Sequence, residues 1–279
     1  MRERAQNFDP RQHMTAQTFE VFHYKDPRTA GVEVHHHDFY EVYHLLEGHV
    51  DYWVEGRILS MEPGDLLLIN PMELHRPVID QSRQGYERIV LWINRDYLEE
   101  LSPALCACFE PGHTHLIRPN LSQRSAITAR LGELVREHYS NDACAAFAAN
   151  GIFLQFMAQL NRLAGKTQSE EGKMLSTLVQ KALSIISDNI SSELSLERIA
   201  GECFVSKYYL SHAFTKEVGV SVYRYILLRR LLLARQMLAT GESASAVCRA
   251  CGFTDYTSFY RAFRSEYGTS PRSYANDVK

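Results

Sequence analysis

One sequence pattern occurs twice in the carboxyl-terminal third of the chain, and it constrains the fold more than any other feature. In the first copy, apolar residues recur at every fourth position and end on a glycine: Leu210, Phe214, Val218 and Gly219. The second copy begins forty-nine residues later: Phe259, Phe263, Tyr267 and Gly268. A short helical segment precedes each copy, the first starting near Ser195 and the second near Ala244. The repeat therefore predicts two pairs of helices. In each pair the second helix buries one stripe of apolar side chains.

The opposite face of each second helix carries side chains that can form hydrogen bonds. At about 100° per residue, this face contains Tyr208, Ser211, His212 and Thr215 in the first copy. In the second copy, Thr257, Arg261 and Arg264 correspond to Tyr208, His212 and Thr215. A short helix with such a face, packed on a preceding helix, fits the major groove of DNA.

Arginine and lysine side chains near these helices have two expected roles. Arg261 is the best candidate for direct readout, because a guanidinium group can donate two hydrogen bonds to the O6 and N7 atoms of guanine. Lys207, Arg224 and Arg264 are expected to contact phosphates, which positions a protein on DNA without selecting a sequence.

The segment that joins the two helix pairs, residues 223–240, is predicted to be one helix with a core face through Ile226, Leu233 and Met237. At about 1.5 Å per residue, its roughly eighteen residues span about 27 Å. This length is close to the ~34 Å between successive major-groove faces on one side of a duplex. The second helices of the two pairs, which this connector joins, could therefore contact adjacent major grooves.

The amino-terminal half has a different pattern. Short alternating segments between residues 19 and 93, separated by Gly, Pro, Asp and Asn, predict a β domain that forms a sandwich or a small barrel. Helices are predicted at 97–109, 122–139 and 143–163. The last helix is apolar over more than a narrow stripe, which indicates a partner helix within the domain or across a homodimer.

The second repeat also contains a family signature, whose positions are Gly252, Phe253, Phe259, Phe263, Gly268 and Pro271. On this signature the chain resembles the AraC/XylS family of bacterial transcription regulators. The resemblance implies a seven-helix DNA-binding domain, a homodimer through the helices in 122–163, and, in an activator, contact with RNA polymerase. It also implies that six residues face base edges: Tyr208, Ser211, His212, Thr257, Ser258 and Arg261. Ser211 and His212 replace the longer Arg or Gln common in the family, so the target sequence is not transferable from relatives.

The β domain resembles the cupin superfamily in the pattern Gly31…His35-x-His37-x-x-x-Glu41…Gly48, followed by Pro63-Gly64-Asp65. The resemblance implies a barrel with an internal cavity that binds a small-molecule effector, with sugars among the candidates. The expected lining residues are His35, His37, Glu41, Tyr43, Trp53, His75 and Trp92. In an extended segment His35 and His37 point the same way. An alternative is a divalent metal held by His35, His37, Glu41 and His75, although His75 lies further from Pro63-Gly64 than in a standard metal cupin.

Charge and composition agree with two domains in the α+β class, a cupin-like barrel with a helical dimerisation segment followed by an all-α domain with two helix-turn-helix units. Residues 1–173 contain 17 Lys and Arg against 24 Asp and Glu, a net charge of −7, and residues 174–279 contain 13 against 9, a net charge of +4. The expected boundaries are a polar arm at 1–18, the effector and dimerisation domain at 19–164, a linker at 165–173 and the DNA-binding domain at 174–279. No export signal or membrane span is present in the sequence, which favours the cytoplasm. The six cysteines are expected to be buried thiols.

The sequence thus favours a regulator that is not an enzyme, contains no required cofactor, and binds double-stranded DNA and an effector. Two alternatives stay open. One is a metal-dependent cupin enzyme fused to a DNA-binding domain, and the other is a dimeric regulator that responds to no ligand.

Overall fold

The structure is a computed structural model that describes residues 13–25, 32–79, 85–110, 114–165 and 172–277. The chain divides into two compact units, Met1–Met174 and Leu175–Lys279, which we call the N-terminal and C-terminal units. Parts of three sequence predictions lie outside the described residues: Gly31 of the cupin pattern, residues 1–12 of the arm and 166–171 of the linker.

The described part of the N-terminal unit contains nine strands in two sheets. The strands are β1 Phe19–Lys25, β2 Tyr40–Glu47, β3 Val50–Val54, β4 Arg57–Met61, β5 Leu66–Ile69, β6 His75–Ile79, β7 Glu87–Ile93, β8 Leu116–Ile117 and β9 Lys173–Met174. The first sheet has the order β1-β7-β2-β5-β8, and the second has the order β6-β3-β4-β9. The segment 32–37, which the sequence predicts to be extended, contributes one isolated antiparallel bridge, between His35 and His75.

Alternation along the strands sorts side chains into two clusters. Tyr43 on β2 and Tyr52 on β3 belong to a cluster that draws buried residues from both sheets, which we call the inner cluster. Val42, the neighbour of Tyr43, points the other way and joins the outer cluster, which packs the five-stranded sheet against helices. The inner cluster is rich in aromatic side chains, and most of the predicted effector residues lie beside it.

The described part of this unit also contains a short 3₁₀ helix, Ala107–Phe109, and four α-helices: α1 Arg95–Leu101, α2 Pro103–Cys106, α3 Leu121–His138 and α4 Ala145–Ala164. The predicted single helix at 97–109 is interrupted because Ser102 is extended, with φ of −175°, and Pro103 starts a new helix. Helices α3 and α4 pack against each other, and Phe153 and Phe156 of α4 are buried in the outer cluster. Strand β9 pairs with β4, so Lys173, which the sequence places at the end of the linker, lies in a sheet.

The described part of the C-terminal unit consists of seven helices. They are α5 Thr177–Asp188, α6 Leu196–Glu202, α7 Lys207–Val218, α8 Val222–Ala239, α9 Ala244–Ala250, α10 Tyr256–Tyr267 and α11 Pro271–Asp277. Helix α6 packs on α7, and α9 packs on α10, with α8 in contact with both pairs. On α8 Ile226 is buried as predicted, whereas Leu233 and Met237 are half-buried and pack on a cluster formed with α9 and α10.

No helix in the described parts of the chain combines the length and the apolar character that crossing a membrane requires.

Candidate functional sites

Helix α7 has defined ends and one buried face. Its first turn is capped by Ser206, whose hydroxyl oxygen accepts a hydrogen bond from the N–H of Tyr209 at 3.2 Å. It ends at Gly219, whose φ of 96° is the left-handed conformation that glycine adopts without strain. Leu210 and Phe214 are fully buried on the inner face of the helix. The remaining face is therefore held in a fixed orientation toward solvent.

The solvent face of α7 carries the candidate base-contacting side chains of the first copy. Tyr208 and His212 are exposed, and Ser211 is half-buried. Lys207 Nζ lies 2.7 Å from Glu197 Oε1 of α6, and this hydrogen bond holds the pKa of Glu197 below its usual range. Lys207 stays partly exposed, so its ammonium group can reach a phosphate while it links α7 to α6.

Helix α10 repeats this arrangement with a different cap. Asp255 accepts one hydrogen bond from the N–H of Ser258 at 2.8 Å and another from its hydroxyl at 2.8 Å. These bonds lower the pKa of Asp255. The hydroxyl of Ser258 is thus engaged in the cap, whereas Thr257 beside it is exposed.

The three arginines predicted to contact DNA differ in their surroundings. Arg261 and Arg264 are exposed on α10, and within the described residues neither has a carboxylate partner. Arg224 Nη2, in contrast, lies 3.0 Å from Glu266 Oε2, which joins the first turn of α8 to α10. The two unpaired guanidinium groups leave positive charge on one face of α10.

In the N-terminal unit the predicted polar residues lie close together. The backbones of His35 and His75 exchange two hydrogen bonds, of 3.1 and 3.0 Å, and their ring centroids are 4.2 Å apart. The His37 and His75 rings are 4.7 Å apart. His75 is fully buried, and burial together with the neighbouring imidazoles of His35 and His37 holds the pKa of His75 well below its usual range. Burial also lowers the pKa of His35.

Glu41 completes this group. Its Oε2 atom accepts a hydrogen bond from Trp92 Nε1 at 3.0 Å and lies 3.3 Å from His37 Nε2. The ligand atoms of His37, Glu41 and His75 all lie within 4.8 Å of one another, so these three side chains could hold a metal ion. The group, which we call the His-Glu cluster, does not include His35.

Two further predicted residues are on different faces. Tyr43 is buried in the inner cluster, and its hydroxyl contacts that of Tyr86; burial raises the pKa of Tyr43. Trp53 is buried but follows Tyr52 on β3, so alternation turns it away from the inner cluster. Tyr52, and not Trp53, is on the side of β3 that faces His75, with the rings of Tyr52 and His75 6.3 Å apart.

Sequence reasoning also missed Arg88. This arginine is buried on β7, and its guanidinium carbon lies 4.8 Å from the Tyr24 ring and 4.2 Å from the Tyr86 ring. The available signal was strand periodicity, because Arg88 is two and four residues before Val90 and Trp92, which face the same cluster. The buried arginine makes the interior more polar than the predicted lining suggests.

A buried histidine connects the five-stranded sheet to α3. His44 Nδ1 lies 3.1 Å from the backbone oxygen of Asp65, and its Nε2 lies 2.9 Å from the hydroxyl of Thr128 on α3. Burial lowers the pKa of His44 to about 4, so the ring is neutral at neutral pH. A neutral ring can satisfy both contacts, because the carbonyl accepts from Nδ1 and the hydroxyl donates to Nε2.

Together, a sheet domain with a polar interior and a helical unit with two exposed helix faces are typical of a DNA-binding regulator with a ligand-binding domain. Two family models match the chain in this order. The AraC-like ligand binding domain matches residues 20–157, and a helix-turn-helix domain matches residues 199–277. The chain belongs to the AraC family of transcriptional regulators, and its function is DNA-binding regulation and not enzymatic catalysis.

Two transcriptional activators and two solved structures are similar to this chain. The chain is 26% identical over 252 residues to the HTH-type transcriptional activator RhaS of Escherichia fergusonii, covering 85% of each chain. It is 24% identical over 255 residues to RhaS of Salmonella arizonae, again covering 85% of each chain. Among solved structures, fatty-acid-bound ToxT of Vibrio cholerae matches 94% of this chain and 96% of its own at 16% identity, with a TM-score of 0.39. The C-terminal domain of AraT from Geobacillus stearothermophilus matches 38% of this chain and 88% of its own at 27% identity, with a TM-score of 0.37.

Proposed function

We propose that this protein is an effector-responsive transcriptional activator that binds direct-repeat DNA half-sites as a homodimer. The single observation that carries the proposal is the matched pair of helices α7 and α10. Each has a side-chain cap, a buried stripe and a left-handed glycine at its end, and each leaves one face in solvent. The activator role follows the RhaS relatives.

In this proposal α6–α7 and α9–α10 are two helix-turn-helix units, and α7 and α10 enter successive major grooves. Helix α8 has 18 residues, which corresponds to about 27 Å at about 1.5 Å per residue. This span supports adjacent grooves on one side of the duplex, which are ~34 Å apart.

The side chains would have separate roles at the DNA. Six would read base edges: Tyr208, Ser211, His212, Thr257, Ser258 and Arg261. Three would hold phosphates: Lys207, Arg224 and Arg264. Ser258, one of the readers, donates its hydroxyl hydrogen to Asp255 and would have to give up that bond to donate to a base. Arg224, one of the phosphate contacts, would have to share its guanidinium group with Glu266. Arg261 has no such competitor, which supports its role as the main direct contact.

The effector would bind inside the N-terminal unit, with the two sheets closing as a barrel around it. The proposed contacts are His35, His37, Glu41, Tyr43, His75 and Trp92. We add Tyr52, which belongs to the inner cluster, and Arg88, which lies over two of its rings. Imidazole, carboxylate and phenol groups suit a polar ligand such as a sugar, whereas the aromatic rings suit its apolar faces. Trp53, which faces away from the inner cluster, would act only through packing.

The remaining assignments complete the proposal. The arm is 1–18, the effector and dimerisation domain is 19–164, the linker is 165–173 and the DNA-binding domain is 174–279, acting in the cytoplasm with RNA polymerase as a partner. Dimerisation would use α3 and α4, whose outward face carries Phe147 at 81% exposure and Leu154 at 40%. Large exposed apolar side chains on one helix face support an interface.

A ligand screen followed by DNA binding tests the switch. Trp53 and Trp92 are the two tryptophans of the chain, and both lie in the N-terminal unit, so their fluorescence reports its thermal unfolding. Sugars and small organic acids that raise this unfolding temperature are then added to protein bound to DNA selected from a random library. We expect a 5- to 150-fold change in DNA affinity or in transcription, which corresponds to about 1–3 kcal/mol of coupling. A bound ligand that changes neither quantity would contradict the switch and leave DNA binding intact.

A further inference from the structure

The first turn of α7 presents two tyrosines to solvent. Tyr208 and Tyr209 are 78% and 61% exposed. At about 100° per residue, they lie roughly 120° and 140° away from Phe214, the middle of the buried stripe, on opposite sides of it. Ser211 lies only about 60° from Phe214, and it is half-buried. The outermost large side chains of this turn are therefore the two tyrosines, although Tyr209 was not among the sequence-predicted contacts.

The ring of Tyr208 is oriented by its neighbours. The ammonium group of Lys207 lies 5.6 Å from the centroid of this ring, which is within the range of a cation–π contact. Lys207 is itself bound to Glu197 of α6 at 2.7 Å. A tyrosine side chain has only two torsions to fix, so its large contact area loses little conformational entropy on binding. The first turn of α7 thus offers a preorganised, largely apolar surface.

The corresponding turn of α10 has a different chemistry. Two short polar residues, Thr257 and Ser258, stand where the tyrosines of α7 stand. Arg261 lies one turn later and is exposed. Helix α7, in contrast, contains no arginine, and of its two lysines Lys207 is engaged with α6 while Lys216 lies in the last turn. The two helices therefore offer different groups to DNA, an aromatic surface on α7 and a guanidinium group on α10.

We propose that the first turn of α7 recognises thymine, because the rings of Tyr208 and Tyr209 pack against the C5-methyl groups of thymine in the major groove. Apolar side chains recognise thymine through this methyl group, whereas guanine presents two hydrogen-bond acceptors there. Each half-site then has a direction, with a thymine-containing segment at α7 and a guanine-containing segment at α10, about 10 bp apart. The inference rests on the proposed function, because it names the base that one of the two proposed reading helices selects.

The test removes single methyl groups from the DNA. The full-length protein first selects its sites from a random library, and each thymine of the selected half-site is then replaced by uracil, one at a time. Uracil keeps the hydrogen-bonding groups of thymine and lacks only the methyl group. We expect one or two of these replacements to weaken binding about fourfold each, which is the effect of losing one buried methyl group. The sensitive thymines should lie outside the segment in which Arg261→Ala relaxes the base preference.

Variants assign the effect to the two tyrosines. Tyr208→Ala and Tyr209→Ala should each abolish the uracil effect at one sensitive thymine or more, because the contact is already lost. Tyr208→Phe keeps the ring and should retain the uracil effect, which separates packing from a hydrogen bond of the hydroxyl group. Tyr223→Ala is the matched control, because Tyr223 is 77% exposed but lies on α8, and the uracil effect should persist in it.

The results distinguish this inference from the proposed function. Selected DNA that tolerates uracil at every position, a uracil effect that persists in both alanine variants, or its loss in Tyr208→Phe would overturn the inference and leave the proposed function intact. A protein that selects no sequence from the library would refute the proposed function together with this inference.

Discussion

Arg261 and Arg264 are neighbours on one face of α10, yet we assign them different roles. Both are exposed and without a carboxylate partner among the described residues, so both are free to meet DNA. Arg261 corresponds to His212 of the first repeat and lies one turn from Thr257, in the middle of the face that would enter the groove. Arg264 lies in the last turn, where a backbone phosphate is the nearer partner.

Removing each arginine therefore has a distinct expected effect. Arg261→Ala should weaken binding to the selected site by about 1–3 kcal/mol and relax the preference at one base position. Arg264→Ala should weaken binding to specific and scrambled DNA alike and reduce the slope of log affinity against log salt by about 1. Binding titrations on both DNAs at several salt concentrations measure this, and an equal loss on both DNAs for Arg261→Ala would reassign it to a phosphate.

At the residue scale, the sequence predicted that several polar side chains lie in the interior of the N-terminal unit. It did not predict which of these side chains lie next to one another. His37 and Glu41 could be paired from the sequence, because Glu41 is only four positions after His37. His75 joins them through a backbone bridge between distant segments, which no local pattern encodes. Trp53 is an expected lining residue, but the side-chain period of two turns its neighbour Tyr52 toward the inner cluster instead.

At the scale of elements, both helix pairs turn through a residue in the left-handed conformation, but only one turn uses glycine. Gly252 has φ of 76°, whereas its counterpart Phe204 has φ of 59° and is 88% exposed. A side chain in this conformation costs roughly 1–2 kcal/mol. The ring of Phe204 lies beneath Lys181 Nζ, 4.8 Å from its centroid, which recovers part of that cost.

The strain at position 204 can be measured by comparing the glycine and alanine variants, because neither of them carries the phenyl ring. Phe204→Gly should be more stable than Phe204→Ala by about 1 kcal/mol, and Gly268→Ala, at φ of 71° with open space around its Cβ, should cost a similar amount. Urea unfolding followed by circular dichroism at the helical band reports these differences. Equal stability of the glycine and alanine variants at position 204 would show that the turn relaxes.

The elements themselves were largely predictable where a period runs for several turns. The stripes of α7 and α10 predicted these helices correctly because each helix buries one face. Strands β1, β2 and β7 were predicted from short segments bounded by turn residues, and each is buried on both faces. The prediction was wrong at residues 97–109, where an apolar period continues through Ser102 but Pro103 cannot donate the hydrogen bond that a continuous helix needs.

At the scale of the whole molecule, the outward face of α4 exposes two large apolar side chains among the described residues of the N-terminal unit. Phe147 and Leu154 lie on this face with Gly151 between them, and a Cβ at Gly151 would meet nothing within 4 Å. The space around Gly151 supports close approach by another helix. If this helix is the proposed dimer contact, one charge at its centre should disrupt it.

Phe147→Asp is expected to convert the dimer to a monomer in analytical ultracentrifugation. Affinity for DNA with two half-sites should fall by about 10²-fold, because linkage between two binding modules is lost, whereas affinity for one half-site should not change. Leu101→Asp, which adds the same charge at another exposed apolar position, is the control and should remain dimeric. A Phe147→Asp protein that stays dimeric would exclude this face.

Strand β9 determines where the two units are joined. Lys173 and Met174 pair with β4, Leu175 begins the C-terminal unit, and Ser176 already caps α5. Only Leu175 stands between the paired strand and the cap of α5, so residues inserted after Met174 would lengthen the connection between a sheet of the N-terminal unit and the first helix of the C-terminal unit.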